Sequence, residues 1–464
     1  MSTAILWFRR DLRLADHPAL RAAAKAHTRL LPIYIDDPNG EGLGAGGAAS
    51  RWWLHHALCD VREQLRALGS DILLFQGDSE AILEQIQTET QAEACYWNRL
   101  YEPAITARDR RIKAAWKARG LAAHSFKAGL WFEPWELQTG KGEAFRVFTP
   151  YWKQLLRSAP DAAPLPAPDA LPPLPEPIPS GQSLDALALL PHIPWDAGFH
   201  TAWDTPTEAG GAQRLRRFAD VRLEAYAAGR NRPATDGVSR LSPYLRCGQL
   251  SPRQCAAVAA PVEGMDGPWI RELAWREFAY HVLYHYPHTA TRPMNPRFER
   301  FPWAEADAET LNRWRRGQTG VPLVDAGLRA LWATGWMHNR VRMVVASFLT
   351  KNLLIRWQEG AAWFMDTLVD ADLANNTLGW QWTAGCGADA APYFRVFNPV
   401  LQGEKFDPDG AYVRRWIPEL ADTPDRWVHQ PWAAPSKPSG YPAPMVDLKA
   451  SRARALEHFH ALPK

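Results

Sequence analysis

The stretch Ala4-Ile5-Leu6-Trp7-Phe8, running directly into Arg9-Arg10-Asp11-Leu12-Arg13, decides the fold. A short, wholly apolar run closed by charges reads as a strand covered on both faces, as strands of parallel sheets are. Similar runs recur at Leu30 to Ile35, Ile72 to Phe75, Ala94 to Trp97 and Ala122 to Phe126. Between them lie helical patterns near Pro18 to Ala26, Ala49 to Leu68, Ser79 to Thr90 and Pro103 to Arg119. This alternation predicts an α/β domain over residues 1–130, a doubly wound parallel five-stranded sheet with helices on both faces. Ligands of such sheets sit beyond the carboxyl ends of the strands. Gly42, Gly44 and Gly47 match G-x-G-x-x-G formally, but they stand several residues beyond their strand in a segment that is simply glycine-rich, and we read them as a flexible loop.

Working outward, 464 residues suffice for about two or three domains at roughly 150 residues each. Between Pro160 and Pro194 there are 11 prolines and few charges, a composition that resists helix and sheet. Residues 131–206 are therefore expected to form a Pro-rich interdomain linker. From about Thr207 long amphipathic patterns replace strand patterns, which predicts an all-α domain over residues 207–464. Ser242-Pro243 and Ser251-Pro252 each read as a helix start, serine capping and proline in the first turn.

Composition narrows the function class. With 46% hydrophobic and 22% charged residues the chain is ordinary for a soluble protein, and no apolar run approaches the roughly 18 to 20 residues of a membrane span. Met1 to Ile5 leads straight into the first strand without signal-peptide architecture, so a cytoplasmic protein is expected. Five scattered cysteines without a Cys-x-x-Cys predict reduced thiols rather than disulfides or a zinc ribbon. His281, His285 and His288 have helical spacing but no Cys or Glu to complete a ligand set, so no metal is expected. The net charge is only +3, yet Arg276 to Arg356 holds 12 Lys and Arg against 6 Asp and Glu. That surplus favours an anionic partner such as nucleic acid, or else a solvated basic face. The 23 tryptophans outnumber the 12 tyrosines and 17 phenylalanines, and Trp336, Trp357, Trp363, Trp380 and Trp382 crowd between Gly335 and Asn398. Indole in that amount suits stacking or electron transfer better than mere filling.

A family resemblance rests on several segments in order. Trp7-Phe8-Arg9-Arg10-Asp11-Leu12-Arg13, Asp236-Gly237-Val238-Ser239-Arg240-Leu241-Ser242-Pro243, Trp275-Arg276-Glu277-Phe278, Gly335-Trp336-Met337-His338-Asn339-Arg340, and Asp370-Ala371-Asp372-Leu373 through Gly379-Trp380-Gln381-Trp382 resemble the photolyase and cryptochrome flavoproteins, most closely bacterial cyclobutane pyrimidine dimer photolyases. The resemblance runs from about residue 4 to about residue 430. It implies an antenna-binding α/β domain and an all-α domain that holds FAD, active as the reduced anion.

Carried over by motif, Arg342, Asp370, Asp372 and Asn376 are implied around the flavin ring. An arginine paired with an acid can hold an anionic ring, a second carboxylate can accept from the ring imide, and an amide near N5 cannot donate a carboxyl proton. Read from the residues alone, Asp370 and Asp372 would be caps of a helix beginning near Leu373. Tyr226, Ser239, Leu241 and Ser242 resemble phosphate-side contacts, while Arg240, Trp269 and Arg276 fall at other cofactor positions. Val238 departs from the hydroxyl residue common there. Glu272, Trp275, Asn339, Met343 and Trp382 match the pocket for a flipped dimer, with indole walls and polar groups for the pyrimidine edges. Six-four enzymes of the family place a histidine pair near this region, and His338 followed by Asn339 and then Met343 argues against that substrate. Trp380, Trp357 and Trp303 correspond to an electron relay, with Trp363 and Trp314 read equally as core or relay. Arg230, Arg340 and Arg395 match contacts to DNA phosphates.

The function this implies is light-dependent repair of cyclobutane dimers by electron transfer from photoexcited reduced FAD. The expected partner is UV-damaged DNA, single- or double-stranded and of any sequence, met by a monomer with no membrane association. A cryptochrome-type blue-light photoreceptor is the alternative, and a light-independent DNA-binding flavoprotein a third reading. A second chromophore is expected as antenna. Ala104-Ile105 replaces the Asn-Glu pair of many folate-using members, so a differently seated methenyltetrahydrofolate, 8-hydroxydeazaflavin and no second chromophore all stay open. Trp52, Trp53 and Glu102 could line its cleft, and Trp52 and Trp53 equally could be core.

Overall fold

The structure, a computed structural model, describes residues 2–159, 163–390 and 394–463. Five parallel strands, β1 (Thr3–Phe8), β2 (Arg29–Asp36), β3 (Leu73–Gln76), β4 (Ala94–Asn98) and β5 (Ala122–Phe126), form one sheet in the order β3-β2-β1-β4-β5. The chain winds outward from β1 through β2 to β3, then crosses back to β4 and on to β5. The order reverses between β1 and β4, which opens a crevice past Phe8 and Asn98.

Strand alternation divides the two cores. Ile5 and Trp7 point to one face and pack with Leu31, Ile33, Cys95 and Trp97 under the helices Ser79–Thr90 and Pro103–Ala118. Ala4, Leu6 and Phe8 point to the other face, under Pro18–Ala26 and Ala48–Ala67. That second core does not stop at the sheet. It continues through Trp53 and Tyr244 to Ile270, Leu273 and Phe278 of the helical part, so the two halves share one apolar interior.

Polar contacts lock this junction. Arg13 is 1% exposed and donates to the carbonyls of Asp16 and, at 2.7 Å, Gly248, while Trp53 Nε1 donates to Gln249 Oε1 at 2.8 Å. Buried donors without such acceptors would cost about 1–3 kcal/mol each. Gly248 ends the helix Ser242–Cys247 at φ +75°, and a Cβ there would stand 2.0 Å from the Arg10 carbonyl oxygen. Only glycine allows both the turn and the approach.

The stretch read as a linker holds a helix, Phe148–Arg157, which buries Phe148, Tyr151, Trp152 and Leu155. Further on the chain is largely without regular structure and follows the sheet edge, Gln182 N donating to Leu74 O. Residues 160–162, at the head of the proline-rich stretch, lie outside the described residues. Ser251 caps Pro252–Glu263 in a full capping box with Gln254. Ser242 corrects its expected role: it is the first helical residue, and Leu241 occupies the cap position without a side-chain bond. Arg240, at φ +53°, turns the chain one residue early, so Leu241 is already helical in conformation.

Two glycines with nearly equal φ separate strain from collision. Gly69, at φ +74°, has nothing within 4 Å of the place a Cβ would take. Gly69→Ala should therefore cost about 1–2 kcal/mol in denaturant unfolding, and Gly248→Ala more than about 3 kcal/mol. Equal losses would show that the close approach to Arg10 does not constrain the junction.

Candidate functional site

Two helices of the helical part, Ile270–His285 and Asn339–Ser347, each pack on a third, Leu373–Ala384. The last is buried on most sides, yet Asn375, Asn376, Gly379 and Trp382 remain accessible at helical spacing. Nothing lies within 4 Å of a Cβ placed on Gly379. A central helix with one open stripe defines the wall of an internal site.

The acids before that helix are held by several partners. Arg342 donates from one guanidinium nitrogen to Asp370 Oδ2 at 2.8 Å and from Nε to the Met337 carbonyl at 2.7 Å. Asp370 Oδ1 is buried without a partner among the described residues. Asp372 caps the helix, its Oδ1 accepting from Asn375 N and Nδ2 at 2.8 Å each, so the capping role expected for it holds. Its Oδ2 accepts from the Tyr280 hydroxyl. Burial alone would raise the Asp372 pKa, but the charges of Arg276 and Arg246 and the bonds from Tyr280 and Asn375 leave it below the usual carboxylate value. Arg246 also donates from Nε to the carbonyl of Ala371, between the two acids.

Asn376 donates from Nδ2 to the Ala361 carbonyl at 2.9 Å. Because its partner is an acceptor, the amide orientation is fixed and its oxygen is left to accept elsewhere. Arg276 donates to Gly129 O at 2.7 Å and lies over the Tyr280 ring. The orphaned Asp370 oxygen, the leftover Asn376 oxygen and the paired Arg342 together fit a flavin ring, which offers N–H donors and carries charge when reduced.

The loop before Ser242–Cys247 supplies a different surface. Ser239 Oγ accepts from Trp269 Nε1 at 3.3 Å, and Ser242 Oγ from Trp336 Nε1 at 3.4 Å. Tyr226 and Leu241 are buried. The Arg240 guanidinium lies over both Trp203 and Trp336, at 4.7 and 4.8 Å.

The residues carried over for the lesion project from the same three helices. Trp275 lies flat against Phe148, with centroids 3.8 Å apart and planes at 8°. Glu272 pairs with Arg230 at 2.6 Å. Asn339 and Met343 stand one turn apart on Asn339–Ser347, and Trp382 lies on the open stripe. His338 caps that helix by accepting from Arg340 N. Burial, then Arg342, Arg340 and Arg230, push its pKa down to about 4, so it stays neutral. Arg340 donates to Asn231 Oδ1 at 2.7 Å, and exposed Arg395 lies over Phe397.

Trp380 and Trp357 are buried in one core against which Trp303 packs. A Cβ on Gly360 would fall 2.0 Å from the Trp380 ring, so this glycine makes the space for it. Trp314 is edge-on to Trp380 at 6.4 Å, which brings one of the two undecided tryptophans into contact with the expected relay. Trp363 instead lies parallel to the exposed Trp332, centroids 6.0 Å apart.

Tyr280, Arg246 and Phe148 were not singled out from sequence. Each acts on a site residue more than ninety positions away, and helical amphipathicity carries no trace of that. Trp52, Trp53 and Glu102 are buried in the junction, Glu102 paired with Arg10. The cleft at the ends of β1 and β2, lined by Arg9, Arg10, Tyr34 and Trp53, holds about 60 Å³, room for a few waters. His281 uses both ring nitrogens on backbone partners, Pro134 O and Phe145 N, and among the described residues no cluster of His, Cys, Asp or Glu could hold a metal.

A parallel five-stranded α/β domain joined to a helical domain with this acid and amide wall defines a two-domain FAD-binding flavoprotein. Residues 4–171 match DNA photolyase, and residues 269–461 the FAD binding domain of DNA photolyase. A deoxyribodipyrimidine photo-lyase of Agrobacterium fabrum is 43% identical, covering 99% of this chain and 98% of its own. Cryptochrome-2 of Arabidopsis thaliana is 38% identical over 97% of this chain and 77% of that protein. The crystal structure of a bacterial class III photolyase from Agrobacterium tumefaciens superposes with a TM-score of 0.94 at 42% identity, covering 99% of this chain and 98% of that one. The chain belongs to the photolyase and cryptochrome family and binds FAD. Among the described residues no helix is long and apolar enough to cross a membrane.

The Tyr280 bond yields a test with a definite sign. Asp372 is lowered in the folded state, so its contribution to stability is present above the usual carboxylate pKa and lost as pH falls through the folded value. Tyr280→Phe raises that folded value, so acid unfolding should begin at a higher pH and stability at neutral pH should drop by about 2 kcal/mol. An unchanged acid midpoint would contradict the role given to the hydroxyl.

Proposed function

We propose that this protein repairs cyclobutane pyrimidine dimers in DNA under near-ultraviolet or blue light. When bound and reduced, FAD supplies the photoexcited electron that opens the cyclobutane ring and returns after it splits. The observation that carries the reading is the wall at Trp275. An indole stacked flat on Phe148 presents a fixed aromatic face one turn along its helix from the Glu272 carboxylate, and the Asn339 amide starts another helix that packs on Leu373–Ala384. A flipped pyrimidine pair needs such a face and edge partners.

On this reading Trp275 and Trp382 cradle the two bases. Glu272 and Asn339 hydrogen-bond their polar edges, and Met343 fills the apolar side. The dimer thereby meets positioned dipoles in place of water, which favours charge arriving on the bases. Arg342, Asp370, Asp372 and Asn376 would hold the flavin ring, the carboxylates accepting from ring N–H groups and the free Asn376 amide oxygen facing the ring as an acceptor. Tyr226, Ser239, Leu241 and Ser242 hold the nucleotide side, with Trp269 and Arg276 behind it. Trp380, Trp357 and Trp303 would form the path by which electrons reach the bound cofactor from the surface. Arg230, Arg340 and Arg395 grip phosphates beside the lesion, where Arg230 exchanges its carboxylate partner for one.

The second reading, light signalling, draws on the likeness to Cryptochrome-2 and uses the same flavin and tryptophans without the lesion. Single-stranded DNA carrying one dimer discriminates. Repair under light, absent in the dark, supports the enzyme; flavin photoreduction without loss of dimers supports the receptor. Glu272→Ala and Asn339→Ala should each lower dimer affinity or repair yield by on the order of ten-fold while FAD content stays constant, a loss of about 1.4 kcal/mol for one edge contact. Trp380→Phe should slow light-driven reduction of oxidised FAD and spare repair by enzyme reduced beforehand. Unchanged yields in both pocket variants would sink the pocket assignment.

A further inference from the structure

A groove of about 1000 Å³ opens between the segment 138–147, the helix Phe148–Arg157 and Tyr286. Its lining carries three cations, Arg146, Lys153 and Arg157, against one acid, Glu143. None of the three cations forms an ion pair with a described residue, and Lys153 and Arg157 are exposed. Unneutralised cations in a concave surface focus potential on an anion.

The groove is joined to both proposed lesion walls. Phe148, on the buried side of the same helix, is the residue that lies flat against Trp275. On the other side Asp389, which follows the helix bearing Trp382, donates its N–H to the Arg146 carbonyl at 3.1 Å. Lys153 and Arg157 stand one turn apart, about 6 Å along the helix axis. That is of the order of the spacing of successive phosphates on an extended strand.

We propose that this groove is a second binding site for the phosphodiester backbone, engaging the strand beyond the nucleotides held at the lesion pocket. The proposal rests on the repair reading. The partner is nucleic acid rather than a small anionic chromophore because the groove is an open trough. Of its two aromatic lining residues Phe145 is buried, and Tyr286 already carries Arg146 on its ring at 5.0 Å and in a hydrogen bond at 2.9 Å. A chromophore site instead encloses its ligand and offers free aromatic faces.

The test compares the FAD-loaded protein with the variant R146Q/K153Q/R157Q on two substrates, a thymine dinucleotide dimer and a single-stranded oligonucleotide with a central dimer long enough to cross the groove. The oligonucleotide should bind on the order of ten-fold more weakly to the variant, and the slope of log affinity against log salt should become shallower by about 2, as expected for three lost single-strand contacts. Dinucleotide binding and repair at saturation should be unchanged. Equal oligonucleotide affinity and salt slope in the two proteins would overturn the groove, as would a variant that loses a bound second chromophore while its DNA binding is intact. The repair reading fails by a separate sign, dimers left intact under light by the unaltered protein.

Discussion

Two carboxylates buried two residues apart, Asp370 and Asp372, are the constraint around which the helical part is arranged. Taking a carboxylate out of water costs several kcal/mol unless charge and hydrogen bonds compensate. Compensation here comes from three helices: Arg342 from Asn339–Ser347, Tyr280 and Arg276 from Ile270–His285, and the start of Leu373–Ala384 itself. Arg246 adds a fourth segment, bonding the Ala371 carbonyl and reaching Gly44 O in the α/β domain at 3.5 Å. The acids therefore fix the relative placement of three helices and tie them to the sheet. One carboxylate oxygen, Asp370 Oδ1, is left over for a ligand.

The open stripe follows from the same arrangement. Asn376 stands one turn beyond Asp372 and commits its N–H to Ala361, so what remains is an acceptor. Trp380 turns away from the stripe into the space that Gly360 leaves, while Trp382 stays on it. Neighbouring indoles on one helix thus serve opposite surroundings, one dry and one accessible. That division is what the repair reading requires, a conductor behind the flavin and a platform in front of it. A light receptor would need the first and not the second.

Much of the α/β domain was legible in sequence because strands buried on both faces leave uninterrupted apolar runs. All five strands begin and end within about a residue of the expected positions, and Ser79–Thr90 matches outright. The site was legible only as motifs, since their order along the chain says which residues gather but not how. Ser242 shows the limit: a serine before proline reads as a cap, and the left-handed turn at Arg240 that displaces it has no marker such as glycine. Arg240 itself reads as a cofactor contact, and its two indole partners come from positions 203 and 336. The Phe148–Trp275 stack joins a segment expected to be linker to the pocket, a contact between distant positions for which amphipathic spacing holds no information.

On the repair reading the open stripe presents a dimer to reduced FAD, and photochemistry under anaerobic conditions tests this. The fully reduced, FAD-loaded protein is mixed anaerobically with dimer-containing single-stranded DNA, and dimer loss and flavin absorbance are followed through many short light pulses. Dimers should disappear in proportion to light absorbed, over many turnovers, while the flavin ends each cycle reduced as it began. Dimers that persist under light, or that are lost only as the flavin is stoichiometrically oxidised, would contradict it.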